Sequence, residues 1–62
     1  MVICYKLPHD NYLYAYKVVY GDRAFAEREV NKLNANKPTE NNPLRVDGQT
    51  VLTKVDYFTL CN

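Results

Sequence analysis

Residues 12–20 read Tyr-Leu-Tyr-Ala-Tyr-Lys-Val-Val-Tyr. A period of two puts Tyr12, Tyr14, Tyr16 and Tyr20 on one face of a strand and Leu13, Ala15 and Val19 on the other. Neither face is built for water. Val2 to Leu7 alternates in the same way, and Pro8-His9-Asp10-Asn11 between the two runs has turn chemistry, so residues 2–20 predict a hairpin. With His9-Asp10 at the tip, Leu7 faces Tyr12, Tyr5 faces Tyr14 and Ile3 faces Tyr16. A one-residue bulge changes those pairings.

After Gly21 the period lengthens. Asp22 suits the N-cap of a helix running to about Asn36, because its carboxylate can accept the unpaired amides of the first turn and complements the dipole. Phe25, Ala26, Val30 and Leu33 recur at helical spacing along one stripe, while Arg28, Asn31, Lys32 and Ala35 fall opposite. A stripe this narrow predicts a helix lying on a sheet. Lys37 to Pro43 carries two prolines and reads as a surface loop. Leu44-Arg45-Val46 and Gln49-Thr50-Val51-Leu52 flank Asp47-Gly48, a strong signal for a tight hairpin, and Thr53 to Leu60 reads as a final strand.

These elements compose one α+β domain over residues 1–62. We expect a ββαβ arrangement: a small antiparallel three-stranded sheet in the order 2-1-3, one helix on one face, and the short Asp-Gly hairpin before the last strand. Pairing Cys4 with Cys61 across the first and last strands sets Tyr5 near Leu60 and Leu7 near Phe58. One face then gathers Ile3, Tyr5, Leu7 and the tyrosine row; the other gathers Val2, Cys4, Leu13, Ala15, Val19, Val55 and Tyr57. A single helix shields only one of them. The modest side chains of the second face suit close approach of a helix, which leaves the tyrosines open. The reverse assignment packs the tyrosines under the helix with their hydroxyls at the rim.

Size and charge narrow the function classes. A 62-residue chain buries only about 60% of the surface that its unfolded form exposes, so docking to another molecule contributes to effective stability. The formal charge of +1 gives no strong field for a nucleic-acid backbone or an anionic membrane. The start Met-Val-Ile-Cys-Tyr-Lys is too short in apolar residues for a signal-peptide core, and no apolar run approaches the ~20 residues that span a bilayer. A cytoplasmic protein is expected. Cys4 and Cys61 then read as two small buried thiols; if the terminal strands are neighbours, a disulfide worth ~2–4 kcal/mol is the other reading.

No catalytic, metal or cofactor site is expected. His9 and Asp10 are adjacent in a turn and point apart, and no nucleophile can be assigned beside them. One histidine and two distant cysteines give no ligand spacing. The two glycines, each in a turn, build no phosphate cradle, and no small-molecule substrate is implied. The excess of apolar strand face points instead to a contact surface for a protein partner or a second copy, carried by Tyr5, Tyr12, Tyr14, Tyr16 and Phe58. The alternative is a single-stranded nucleic acid, with bases stacked on those tyrosines and phosphates met by Lys6, Lys17, Arg23, Arg28 and Lys32.

The stretch Tyr20-Gly-Asp-Arg-Ala-Phe-Ala-Glu-Arg-Glu-Val-Asn-Lys-Leu-Asn34, between a tyrosine-rich hairpin and a β-rich end, resembles small accessory proteins of bacteriophages. Those carry a helix patterned Ala-Glu-x-x-Val-x-x-Leu-Asn after a sheet strand. The element order also looks like that of the small phage inhibitor of bacterial RNA polymerase. What the resemblance implies is a non-enzymatic protein that inhibits or adjusts a host or defence complex by binding it, such as a CRISPR effector or a polymerase. It assigns no functional residue.

Overall fold

Backbone pairing and side-chain burial follow from a computed structural model that describes residues 1–61; the last residue of the expected domain, Asn62, lies outside them. Strands β1 (Val2–Lys6), β2 (Leu13–Val18) and β5 (Tyr57–Leu60) form an antiparallel sheet in the order β2-β1-β5. Helix α1 (Arg23–Ala35) connects β2 to a separate two-stranded hairpin, β3 (Leu44–Val46) and β4 (Thr50–Leu52). This is the expected α+β class and strand order.

Local chemistry sets the boundaries. Gly21 turns the chain at φ 138°, a conformation that side chains rarely adopt, and Asp22 then caps the helix by accepting from the Phe25 amide at 2.9 Å. The Asn36 amide closes the other end on the Leu33 carbonyl. Asp47 and Gly48 both take left-handed φ, and the Gln49 amide donates to the Val46 carbonyl, as a type I′ turn requires. The last strand is shorter than expected. Thr53 to Asp56 bends across the sheet end, and β5 begins only at Tyr57.

The helix covers the aromatic face, which corrects the expectation that it lies on the Val, Ala and Cys face. Ile3, Tyr5, Val19, Ala26, Val46, Leu52, Val55 and Phe58 make the core, with Leu7, Tyr16, Val30, Leu33 and Leu60 packed against it. The reason lies in area. Large rings and aliphatics gain most by leaving water, at ~25 cal/mol per Å² of apolar surface. The cover has two parts, since the β3–β4 hairpin and Val55 bring their own apolar residues to complete what the narrow helical stripe leaves open. Phe25, expected on that stripe, is exposed.

Two details of register decide which residue faces where. Tyr5 pairs with Tyr14 and Lys6 with Leu13 as expected, but Ile3 pairs with Lys17 and Cys4 with Ala15, so Tyr16 is an extra residue in β2. That bulge reverses the alternation beyond it. Val19 therefore enters the core instead of joining Leu13 and Ala15, and Tyr20 points to solvent. On the other side Cys4 faces Thr59 and Tyr5 faces Phe58, two residues away from the expected pairing, which keeps Tyr57, Phe58 and Leu60 on their expected faces; Val55, expected on the second face, precedes the strand and enters the core instead. Cys4 and Cys61 become diagonal neighbours with Cα atoms 5.9 Å apart and are joined by a disulfide.

Candidate interaction surface

The uncovered face of the sheet is a grid of three rows running across β2, β1 and β5. Leu13, Lys6 and Tyr57 form the first, Ala15, Cys4 and Thr59 the second, and Val18, Val2 and Cys61 the third. Leu13, Val18 and Tyr57 are exposed, and the disulfide lies across the middle of this face. Its one charge, Lys6, donates to Asp56 at 2.8 Å and to the Leu7 carbonyl. The Asp56 hydrogen bond raises the Lys6 pKa and lowers that of Asp56. The remaining surface is apolar or neutral.

Beside this face runs β2, exposed at every position except half-buried Tyr16. Tyr12 and Tyr20, just beyond its ends, are 72% and 86% exposed. Asp10 holds the strand's entry: one oxygen accepts from the Tyr12 amide at 3.1 Å and the other from the Tyr14 hydroxyl at 2.9 Å. That second bond raises the Tyr14 pKa. Asp10 is thereby committed to the strand and makes no acid–base pair with His9, which stands exposed beside a shallow groove of ≈540 Å³ against Val51 and Lys54.

The five partner-binding residues expected from the sequence separate into two groups. Tyr5 and Phe58 are only 7% and 2% exposed and meet in the core, 6.5 Å between ring centroids, so they are not contact residues. Burial also raises the Tyr5 pKa. Tyr16 packs edge-on against Phe58 and is half-buried. Tyr12 and Tyr14 remain open, with Tyr14 stacked on Tyr5 at 5.5 Å. Leu13, Val18 and Tyr57, exposed on the uncovered face, were not in the expected set. The alternation in β2 put Leu13 on the second face, but the choice of covered face hid its meaning.

The basic residues are not gathered. Lys6 is tied to Asp56 on the open face, Arg23 donates to Glu27 on the helix at 2.9 Å, and Lys17 lies over the Tyr16 ring at 6.0 Å. Arg28 and Lys32 are exposed on the helix, which lies against the opposite face of the sheet from Lys6. Among the described residues no single track of cations runs beside a row of open rings, as single-strand binding needs.

No family model matches the chain, and neither the curated proteins nor the solved structures yield a match. Among the described residues, no helix is long and apolar enough to cross a membrane.

Proposed function

We propose that this chain works by direct, non-catalytic binding to a protein, through β2 and the uncovered sheet face beside it. One observation carries the reading. Among the described residues eight large apolar side chains stand exposed, and five of them, Tyr12, Leu13, Tyr14, Val18 and Tyr20, fall within one nine-residue run. Scattered exposed apolar residues are ordinary, whereas a tyrosine-rich cluster along one edge strand and its two ends is what contact surfaces use.

The target class follows from the resemblance: a bacterial host or defence complex, of CRISPR-effector or polymerase type, inhibited or adjusted by a phage-encoded binder in the host cytoplasm. That location sets a condition. A reducing cytosol tends to open disulfides, so the fold has to outlast reduction of Cys4–Cys61 or form where oxidation is possible.

Affinity capture from a bacterial lysate, followed by mass spectrometry, tests the proposal. Leu13→Glu and Val18→Glu, both at exposed positions, should abolish capture while the far-ultraviolet spectrum stays native. Val51→Glu, at an exposed apolar site on the separate hairpin, should leave capture intact. Capture insensitive to all three, or none by the wild type, refutes it. Salt-sensitive binding of mixed oligonucleotides would favour the nucleic-acid reading instead.

A further inference from the structure

The backbone of β2 has an unsatisfied side. The Asp56 amide donates to the Lys6 carbonyl and the Cys61 amide to the Val2 carbonyl, so the even residues of β1 direct their polar groups toward β5. Antiparallel ladders alternate, and Ile3 and Tyr5 therefore direct theirs toward β2, where Tyr14 meets Tyr5. The reciprocal bonds between Met1 and Val19 follow the same phase. Leu13 and Ala15 are left with amide and carbonyl facing away from the sheet, and among the described residues no loop or side chain bonds to them. A row of outward donors and acceptors is a template for another extended strand.

The sequence around this edge fits itself. Centred on Tyr14, an antiparallel pairing of two copies sets Leu13 opposite Ala15 of the second copy, so each outward pair exchanges both hydrogen bonds. Tyr12 falls opposite Tyr16 and Tyr14 opposite Tyr14, giving cross-strand aromatic pairs on one face. Like charges do not meet. Lys17, the one charged residue between Tyr12 and Tyr20, comes level with Asn11 of the second copy, one residue from Asp10. The paired segment ends where the bulge at Tyr16 begins, so the twist there does not interrupt it.

Register, more than area, argues for a second copy as the occupant. Tyr12, Leu13 and Tyr14, the exposed apolar residues inside the paired segment, offer roughly 300 Å², taking 150–250 Å² for a whole aromatic residue. That is short of the ~800 Å² per partner of a standard interface, so the association is weak and depends on concentration. Resting on the interaction reading and naming one partner of that surface, we propose that two copies join through β2 to form a six-stranded sheet, with the two β2 strands antiparallel about Tyr14.

Sedimentation equilibrium of the intact, oxidised chain, paired with amide exchange, tests this. A dimer should form with rising concentration, and the Leu13 and Ala15 amides, open in the monomer, should slow by about tenfold or more as the dimer fraction grows. Ala15→Pro removes an outward donor and leaves the β1 ladder intact, so a folded monomer is expected, whereas Val51→Glu should dimerise normally. If Ala15→Pro fails to fold, wild-type exchange decides the matter alone. A monomer at every concentration, or a dimer whose Leu13 and Ala15 amides exchange as in the monomer, overturns the proposal. Retained lysate capture by such a monomer would overturn the dimer and leave the interaction reading standing.

Discussion

Strand β1 is held very differently on its two sides. Toward β5 the neighbour is fixed by a disulfide, by the Lys6–Asp56 ion pair and by the helix, whose Asn34 side chain covers the outer edge. The Phe58 amide donates to Asn34 Oδ1 at 2.7 Å, and Asn34 Nδ2 donates to the Phe58 carbonyl at 3.0 Å, as a further strand would. Toward β2 there are the ladder, the Tyr5–Tyr14 stack and the core contacts of Tyr16 and Val19, and among the described residues nothing covers the outer edge. One edge of the sheet is closed by the chain itself, and the other is open. The open edge is the exception that the proposed contact rests on, because unclosed edges are a hazard that folds usually suppress.

The sharpest way to break this asymmetry is to cut the covalent tie. Cys4 and Cys61 are 57 residues apart, so reduction restores nearly the whole chain's freedom to the unfolded state and should cost about 4 kcal/mol by loop-closure entropy. In a domain this small that is much of its stability. Denaturant titration with and without reductant should show the midpoint fall and the slope rise, because the reduced unfolded chain is less compact and exposes more surface. Amides of β5 should lose protection before those of β2 if the tie matters locally.

A smaller change converts the closed edge into an open one. Asn34→Ala strips both bonds from the Phe58 backbone and leaves a half-covered donor and acceptor unpaired, a loss of about 2 kcal/mol. Light scattering should then report species larger than those of the wild type, since the molecule presents two edges instead of one. A variant destabilised to that degree with unchanged association would show that α1, and not its amide, keeps strands away from β5.

How much of this was legible in the chain depends on range. The Asp-Gly turn, the Asp22 cap and the Tyr5–Tyr14 register rest on neighbours in sequence, and all three were readable there. The covered face was not, because it depends on the sum of two lids, and the hairpin carrying Val46 and Leu52 looks from its own residues like an appendage. The bulge at Tyr16 was equally hidden. Nothing in Tyr-Ala-Tyr-Lys-Val marks an extra residue, yet it decides that Val19 is core and Tyr20 is surface. Asn34 reads as an ordinary late-helix residue until β5 is placed beside it.

The gentlest probe is pH, which reaches the β5 flank at both ends of the scale and the β2 flank at the alkaline end. Asp56 has its pKa lowered by the Lys6 hydrogen bond, so its contribution is present above the ordinary carboxyl value of 3.8 and is lost as pH falls through the lowered one. Tyr14 has its pKa raised by Asp10, so its contribution is complete below 10.0 and is lost as pH rises through the raised value. Lys6, also raised, follows the same alkaline course above 10.5. Acid should therefore loosen the β5 side, and Asp56→Asn should flatten the acid limb of a stability–pH curve while leaving the alkaline limb in place. Tyr14→Phe should do the converse in part, with Lys6 keeping a residual alkaline decline. Both groups are solvent-accessible, so the effects are small and shrink with added salt. Protection of the Tyr14 amide, which faces β1, measured against intrinsic exchange across the alkaline limb, separates the two contributions. Protection lost in wild type but not in Tyr14→Phe would show that the tyrosine hydroxyl, anchored on Asp10, keeps β2 in register on β1.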